Sequence, residues 1–279
     1  MRVRFSFSSR LARKTRKPDN INQHKVAFVS QIQNIIRTSD IILEVLDARF
    51  IDKTRNLQLE NEIKQQNKKL IYVLNKADLV DVNEIKRNYD LESIKPYVFF
   101  SSKNKIGRSR LREVISIESK RVKAKEVRIG VIGYPNTGKS TLINVLVGGK
   151  RAGTSSKAGF TKNVQKIRLK SNILIFDSPG VITNNEENSI NEAIIKKHTE
   201  IGAKDYHRVK YPELTVKEIM NEDPKIFDNF YNLDSGGDVE NLLENLGKRW
   251  NFLIKGGEID QDRTARKILK DWQEGKIKK

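Results

Sequence analysis

A glycine-rich segment near the middle of the chain has the spacing of a phosphate-binding loop. Residues 133–141 read GYPNTGKST and contain the pattern G-x-x-x-x-G-K-S. In such a loop the backbone amides converge on phosphate oxygens, the lysine reaches the β and γ phosphates, and the serine hydroxyl coordinates Mg²⁺. The sequence therefore predicts a nucleoside triphosphate site with Mg²⁺. The loop residues expected to contact it are Asn136, Thr137, Gly138, Lys139, Ser140 and Thr141.

Two other segments predict which base is bound. Residues 75–78 read NKAD, and the Asp78 carboxylate can accept both guanine N1–H and the exocyclic amine, a donor pair that adenine lacks. Lys76 can lay its aliphatic stem over the base plane. The SSK segment 101–103 can present a backbone amide to guanine O6. The predicted guanine-binding residues are Asn75, Lys76, Asp78, Ser101, Ser102 and Lys103.

A third pair of segments is expected at the γ-phosphate and the metal. In DSPG at 177–180, Asp177 can hold Mg²⁺ through water and the Gly180 amide can meet the γ-phosphate. In GFTKN at 159–163, Thr161 can give Mg²⁺ a second hydroxyl. Spacing leaves other candidates for that hydroxyl open, namely Thr154, Ser155 and Ser156.

These motifs follow short apolar runs that alternate with amphipathic stretches, a pattern typical of an α/β fold with a doubly wound, mostly parallel sheet. The predicted strands are Ile41–Leu46, Leu70–Leu74, Tyr97–Phe100, Val127–Ile132 and Ile173–Phe176. The predicted helices are Val26–Arg37, Gln58–Gln66, Ser109–Lys120 and Thr141–Val147. Beyond residue 190, apolar residues recur at helical spacing. We therefore expect a basic arm (1–25), a nucleotide-binding domain (26–183), a linker (184–189) and a helical, RNA-binding domain (190–279).

The order of the motifs is unusual, because the base-reading segments precede the phosphate loop. Since every motif follows a strand, the sheet can keep the site intact with its chain order permuted. The sequence resembles the circularly permuted GTPases of the YlqF/YawG type, which assist assembly of the large ribosomal subunit. The resemblance covers most of the chain. The matching segments are DIILEVLDAR (40–49), TRN (54–56), NKADL (75–79), GYPNTGKSTLIN (133–144), GFTKNVQ (159–165), DSPG (177–180) and a carboxy-terminal block (255–277).

The resemblance implies a P-loop GTPase that binds ribosomal RNA and the large-subunit precursor and hydrolyses GTP, with Lys139, Thr161 and Gly180 in catalysis. Val181 and Ile182 follow the DSPG motif and cannot orient the attacking water, so we expect turnover to be slow unless it is stimulated. Asn136 resembles a residue that helps to place K⁺ in potassium-activated GTPases; the alternative is that it only shapes the turn. His24 matches the spacing of a catalytic histidine of the family, or is a surface residue.

The charge distribution favours a polyanionic partner. The 279 residues include 54 Lys and Arg against 35 Asp and Glu, a net charge of +19. Segments 1–25, 103–128 and 150–170 each carry a net charge of +7, as phosphate-binding surfaces do. The arm is also similar in composition to an organellar transit peptide. The chain has no cysteine and no apolar run long enough to span a bilayer, so we expect a cytoplasmic protein without stable membrane association.

Two other functions are compatible with these features. One is a scaffold that binds RNA in a GTP-dependent manner without hydrolysing GTP. The other is a peripheral membrane GTPase that binds anionic lipid through the basic arm. This function is less favoured, because the arm is short.

Overall fold

The structure is a computed structural model that describes residues 30–149, 152, 165–178, 197–198, 201–202 and 205–278. The predicted arm 1–25 and linker 184–189 lie outside the described residues. The division into four segments therefore stays a prediction.

A six-stranded sheet forms the centre of the described structure. Its strands are β1 Ile41–Asp47, β2 Lys69–Asn75, β3 Tyr97–Phe99, β4 Val127–Ile132, β5 Gln165–Lys170 and β6 Ile173–Asp177. Their order in the sheet is β3-β2-β1-β4-β6-β5, and all neighbouring pairs are parallel except β5 and β6, which pair antiparallel at one edge. The mostly parallel sheet predicted from the apolar runs is confirmed, and β5 is an additional strand.

Helices cover both faces of this sheet, as the apolar runs of its central strands require. The helices before residue 150 are α1 (30–38 among the described residues), α2 Ile51–Thr54, α3 Leu57–Gln65, α4 Val82–Asn88, α5 Arg108–Arg121 and α6 Lys139–Val147. On one face of the sheet, Leu43 and Val45 of β1 share a buried cluster with residues of α5 and α6. On the other face, Ile42 and Leu46 pack with residues of α1 and α3.

The part of the chain after residue 205 is helical, as predicted from its periodicity. Its helices are α7 Pro212–Glu222, α8 Ile226–Tyr231, α9 Val239–Trp250 and α10 Gln261–Gln273. Asp238 and Asp260 cap the N-termini of the last two helices. The Asp238 carboxylate accepts from the amides of Glu240 and Asn241, and the Asp260 carboxylate accepts from the amide of Arg263. The four helices share one apolar cluster that also includes Phe50 and Tyr134 from the sheet-containing part.

Among the described residues, no helix has both the length and the apolar composition that crossing a membrane requires.

Candidate functional site

The phosphate loop connects β4 to α6 with a backbone that glycine makes possible. Gly133 has φ +142° and Gly138 has φ +94°, both in the region that side chains disfavour. A Cβ atom on Gly133 would lie 2.4 Å from the Val45 carbonyl oxygen. The loop therefore packs directly against β1, and its last residue leads into the N-terminus of α6, where the helix dipole favours an anion.

The loop lysine is buried and points into its own loop. Lys139 Nζ donates to the carbonyl oxygens of Gly133 at 2.9 Å and Tyr134 at 2.7 Å. Burial lowers the pKa of Lys139 to about 8, against the opposing effect of the nearby Asp177 carboxylate. A phosphate group beside this ammonium would offset its desolvation.

The end of the site that is predicted to bind Mg²⁺ joins α6 to β6. Ser140 Oγ donates to Asp177 Oδ2 at 2.6 Å. Burial raises the pKa of Asp177, although the Ser140 hydrogen bond and the Lys139 charge oppose that shift. Asp177 Oδ1 is buried and has no hydrogen-bond partner within the described residues. A carboxylate oxygen without a hydrogen-bond partner, next to a hydroxyl group, provides the hard oxygen ligands that Mg²⁺ prefers. These residues therefore fit the predicted metal.

The base-reading motif follows β2 and is tied to the phosphate loop. Asn75 Nδ2 donates to the Thr137 carbonyl oxygen at 2.7 Å, across 62 residues of sequence. Asn75 Oδ1 accepts from both the amide and the hydroxyl of Ser102, at 3.3 and 3.2 Å. Ser101 Oγ donates to Asp78 Oδ1 at 2.6 Å and fixes that carboxylate. The two predicted guanine-reading segments therefore meet each other and the phosphate loop.

Lys76 is held by an ion pair that the motif alone did not predict. Its Nζ lies 2.8 Å from Asp47 Oδ2, and Arg49 binds both oxygens of the same carboxylate, Nε to Oδ1 at 3.0 Å and Nη2 to Oδ2 at 2.8 Å. Burial alone would raise the pKa of Asp47, but the charges of Arg49 and Lys76 hold it well below its usual range. Burial also lowers the pKa of Lys76.

A cavity of about 430 Å³ lies where these segments meet. It has the size of a small-molecule site. The predicted residues that line it are Asn75, Lys76, Asp78, Ser102, Lys103, Asn136, Gly138 and Thr141. The contact of each with a nucleotide stays a prediction. The predicted site residues Thr161, Gly180 and His24, with the alternatives Thr154, Ser155 and Ser156, lie outside the described residues.

Two further groups of residues around the site have no role predicted from the sequence, although segments 40–49 and 255–277 are among those that carry the family resemblance. Asp47 and Arg49 lie in the DAR segment at the end of β1. Charged residues directly after the buried run 41–46 stand at a strand end, and that position could have identified them as functional. Residues 205–207 and 273–275 line the cavity from the helical region, and no local motif identifies them.

Comparison with known proteins agrees with this architecture. Residues 128–226 match the family described as 50S ribosome-binding GTPase. GNP-bound YlqF from T. maritima superposes with a TM-score of 0.63 at 23% identity, over 89% of this chain and 94% of that one. The fold and the motif order together define a circularly permuted GTPase.

Within that class, the predicted resemblance to the YlqF/YawG type is confirmed. An uncharacterised GTP-binding protein of Methanocaldococcus jannaschii is 39% identical over 257 residues, which are 91% of this chain and 66% of that protein. The nucleolar GTP-binding protein 2 of Saccharomyces cerevisiae is 31% identical over 89% of this chain and 51% of its own length. The chain thus spans two thirds or less of the length of these relatives.

Proposed function

We propose that the chain binds GTP at the cavity between NKAD and the phosphate loop and hydrolyses it to GDP and phosphate. The observation that carries this proposal is the 2.7 Å hydrogen bond from Asn75 Nδ2 to the Thr137 carbonyl oxygen. It brings a guanine-reading motif and a phosphate-binding motif, far apart in sequence, to the two ends of one pocket. A single nucleotide can therefore reach both.

Base selection is assigned to Asp78. Its carboxylate lines the cavity and is oriented by Ser101, so it can accept two hydrogen bonds from the edge of guanine. Asn75 and Ser102 support the same wall through their mutual hydrogen bonds. An adenine base has no matching pair of donors at that edge, and this supports GTP over ATP.

The phosphate end is assigned to Lys139, Ser140 and Asp177. The buried ammonium and the α6 N-terminus favour the β and γ phosphates. Ser140 Oγ and Asp177 Oδ1 would hold Mg²⁺, directly and through water. Bound there, the ion would neutralise charge that develops on the phosphate oxygens. Thr161 and the Gly180 amide are expected to complete this end, and His24 remains a candidate for a catalytic role.

Hydrolysis is expected to be slow without a partner. Val181 and Ile182 follow the DSPG motif, and an aliphatic side chain cannot orient the attacking water. We propose that a ribosomal particle stimulates turnover and that K⁺ contributes through Asn136. Asn136 Nδ2 donates to the Gly202 carbonyl oxygen at 2.7 Å, so its Oδ1 would be the atom that faces the ion.

The proposed partners are ribosomal RNA and the precursor of the large ribosomal subunit. The support is the net charge of +19, the family description 50S ribosome-binding GTPase, and the relatives named nucleolar GTP-binding proteins. Polyanion binding follows from clustered positive charge, since each neutralised phosphate releases counterions. The cytoplasmic site of action predicted from the composition belongs to this proposal.

Calorimetric titration with GDP, GTP and ATP tests the site. We expect both guanine nucleotides to bind and ATP not to bind. The Asp78→Asn variant should exchange guanosine for xanthosine nucleotides, because the new amide donates where the carboxylate accepted. Failure of the wild-type chain to bind any guanine nucleotide would overturn the proposed site.

Single-turnover hydrolysis tests the activity. We expect slow GTP cleavage by the chain alone, faster cleavage with purified large ribosomal subunits, and a higher rate in KCl than in NaCl. Equal rates in the two salts would remove K⁺ from the mechanism. GTP-dependent binding to the subunits with no cleavage at all would instead identify a non-hydrolysing scaffold.

A further inference from the structure

Part of the cavity lining is built by the helical region. Residues 205–207 and 273–275 line the cavity together with Asn75, Lys76 and Asp78. These six residues lie outside every segment that predicts nucleotide binding, and we call them the outer wall.

The two halves of the outer wall are mounted on the same helix. Residues 273–275 are the end of α10 and the turn that follows it. Arg266, also on α10, donates from Nη1 to the Tyr206 carbonyl oxygen at 2.7 Å and from Nη2 to the Val209 carbonyl oxygen at 3.0 Å. Asp205 caps the turn by accepting from the His207 amide at 2.9 Å. The wall is therefore one hydrogen-bonded unit.

Contacts with the sheet-containing part fix where this unit lies along the pocket. At the base end, Gly275 approaches Leu79, the neighbour of Asp78, so closely that a Cβ on the glycine would lie 2.8 Å from Leu79 Cδ1. At the phosphate end, Asn136 Nδ2 donates to the carbonyl oxygen of Gly202, which lies beside the wall: a Cβ on Gly202 would be 3.5 Å from Gln273 Cγ. The outer wall therefore extends from the base to the phosphate loop, alongside the position that a ribose would occupy between them.

The hydrogen-bonding groups of the outer wall suit the ribose better than the base or the phosphates. The wall carries two carboxylates, Asp205 and Glu274, which can accept hydrogen bonds from hydroxyl groups. Glu274 Oε2 also pairs with Lys276 Nζ at 2.9 Å, which leaves it able to accept further hydrogen bonds. The donors on the base edge are already matched by Asp78. The remaining donors of a guanosine nucleotide are the 2′ and 3′ hydroxyls.

We propose that Asp205 and Glu274 of the helical region bind the ribose hydroxyls of the guanine nucleotide, and that the helical region is thereby part of the nucleotide site. This inference rests on the proposed GTP binding. It adds a ribose subsite, selective for hydroxylated sugars, to the base and phosphate subsites.

The test compares GDP with 2′,3′-dideoxy-GDP by calorimetry, without a fluorescent label on the ribose. We expect the wild-type chain to bind GDP at least about tenfold more tightly, since two hydrogen bonds to charged acceptors are lost with the hydroxyls. In the double variant Asp205→Asn with Glu274→Ala, the ratio should fall to about two or less. The asparagine keeps an oxygen that can cap the turn, which protects the fold. Because the ratio compares two ligands on one preparation, a fraction of unfolded protein does not change it.

Glu244→Ala is the matched control. This carboxylate lies on α9 of the same helical region, is half exposed and pairs with Lys248, so its removal should leave the ratio at the wild-type value. A wild-type ratio near one, or an equal ratio in the wild type and the double variant, refutes the ribose subsite while leaving GTP binding intact. A wild-type chain that binds neither nucleotide refutes the proposed function and this inference with it.

Discussion

Replacing Arg49 by alanine should destabilise the protein more than any exposed arginine replacement. The Arg49 side chain is 1% exposed and the Asp47 side chain 0% exposed. Arg49 also donates from Nη1 to the Trp272 carbonyl oxygen at 3.1 Å, and its guanidinium lies 5.2 Å from the Trp272 ring centroid. One side chain therefore joins the end of β1 to α10.

The expected loss of stability in Arg49→Ala depends on the ion-pair partners that Asp47 would keep. Breaking a buried ion pair by removing one partner costs about 3–5 kcal/mol, because an uncompensated charge is left behind. Asp47 would retain the 2.8 Å contact with Lys76, so the lower end applies, about 3 kcal/mol. Arg49→Lys keeps a charge but cannot span both carboxylate oxygens and the Trp272 carbonyl, and should lose about half as much.

Denaturant unfolding of the wild type and both variants measures these losses. Arg110→Ala is the control, because Arg110 pairs with Glu113 at the surface, where both side chains are more than half exposed. Such a pair contributes at most about 1 kcal/mol. The reasoning fails if Arg49→Ala lies within about 1 kcal/mol of the wild type or matches this control. GDP affinity should also fall in Arg49→Ala, since the outer wall loses its anchor at Trp272.

Three further outcomes follow from buried groups. Burial, with a smaller contribution from the nearby Glu60, raises the pKa of Glu44 to about 8, so the folded state holds a proton that the unfolded chain releases above its ordinary pKa. Stability is therefore lost as pH rises through about 8. Relative to Glu44→Gln, the wild type should lose about 2–3 kcal/mol between about pH 6 and about pH 9 in urea titrations; parallel pH profiles would contradict this. Gly138→Ala should reduce GDP affinity at least about tenfold by calorimetry, because the new Cβ would lie 2.3 Å from Asn75 Nδ2; unchanged affinity would show that the loop relaxes. Phe227→Ala should cost about 3–5 kcal/mol in thermal unfolding, while Phe230→Ala on the same helix, 40% exposed, should cost under about 1 kcal/mol; equal losses would refute the packing argument.

The fold could be predicted where burial leaves a pattern. Strands β1, β2 and β4 are buried along most of their length, and their nearly continuous apolar runs identify them. Strand β5 reads QKIRLK and is mostly exposed at the sheet edge, so its weak alternation does not distinguish it from the basic segment 150–170 that contains it. Helix α4 buries none of its residues and therefore has no apolar periodicity to detect.

The site could be predicted where a motif is local. The phosphate loop and NKAD each keep their chemistry within a few residues, because a single turn presents all of it. Asp47 pairs with Arg49 and also with Lys76, and the contact with Lys76 depends on which strands are neighbours, which sequence spacing does not determine. The outer wall depends in addition on how α10 packs, and Glu274 in isolation is one surface carboxylate among many.

The register of the sheet explains why the permuted motif order preserves the site. Asp47 pairs with Asn75 across β1 and β2, and Val131, one residue before the end of β4, pairs with Asp177 on β6. The motif-bearing ends of four parallel strands therefore meet at one edge, whichever strand comes first in the chain. Reconnecting strands through other loops costs little free energy, since loop closure depends only weakly on length. The permutation changes where the helical region is attached. That region follows the strand of Asp177, the carboxylate proposed to bind Mg²⁺, and its helix α10 contacts the end of β1 through Trp272. A ligand that spans the pocket would then contact both parts of the chain, and its binding free energy would depend on how the helical region is seated.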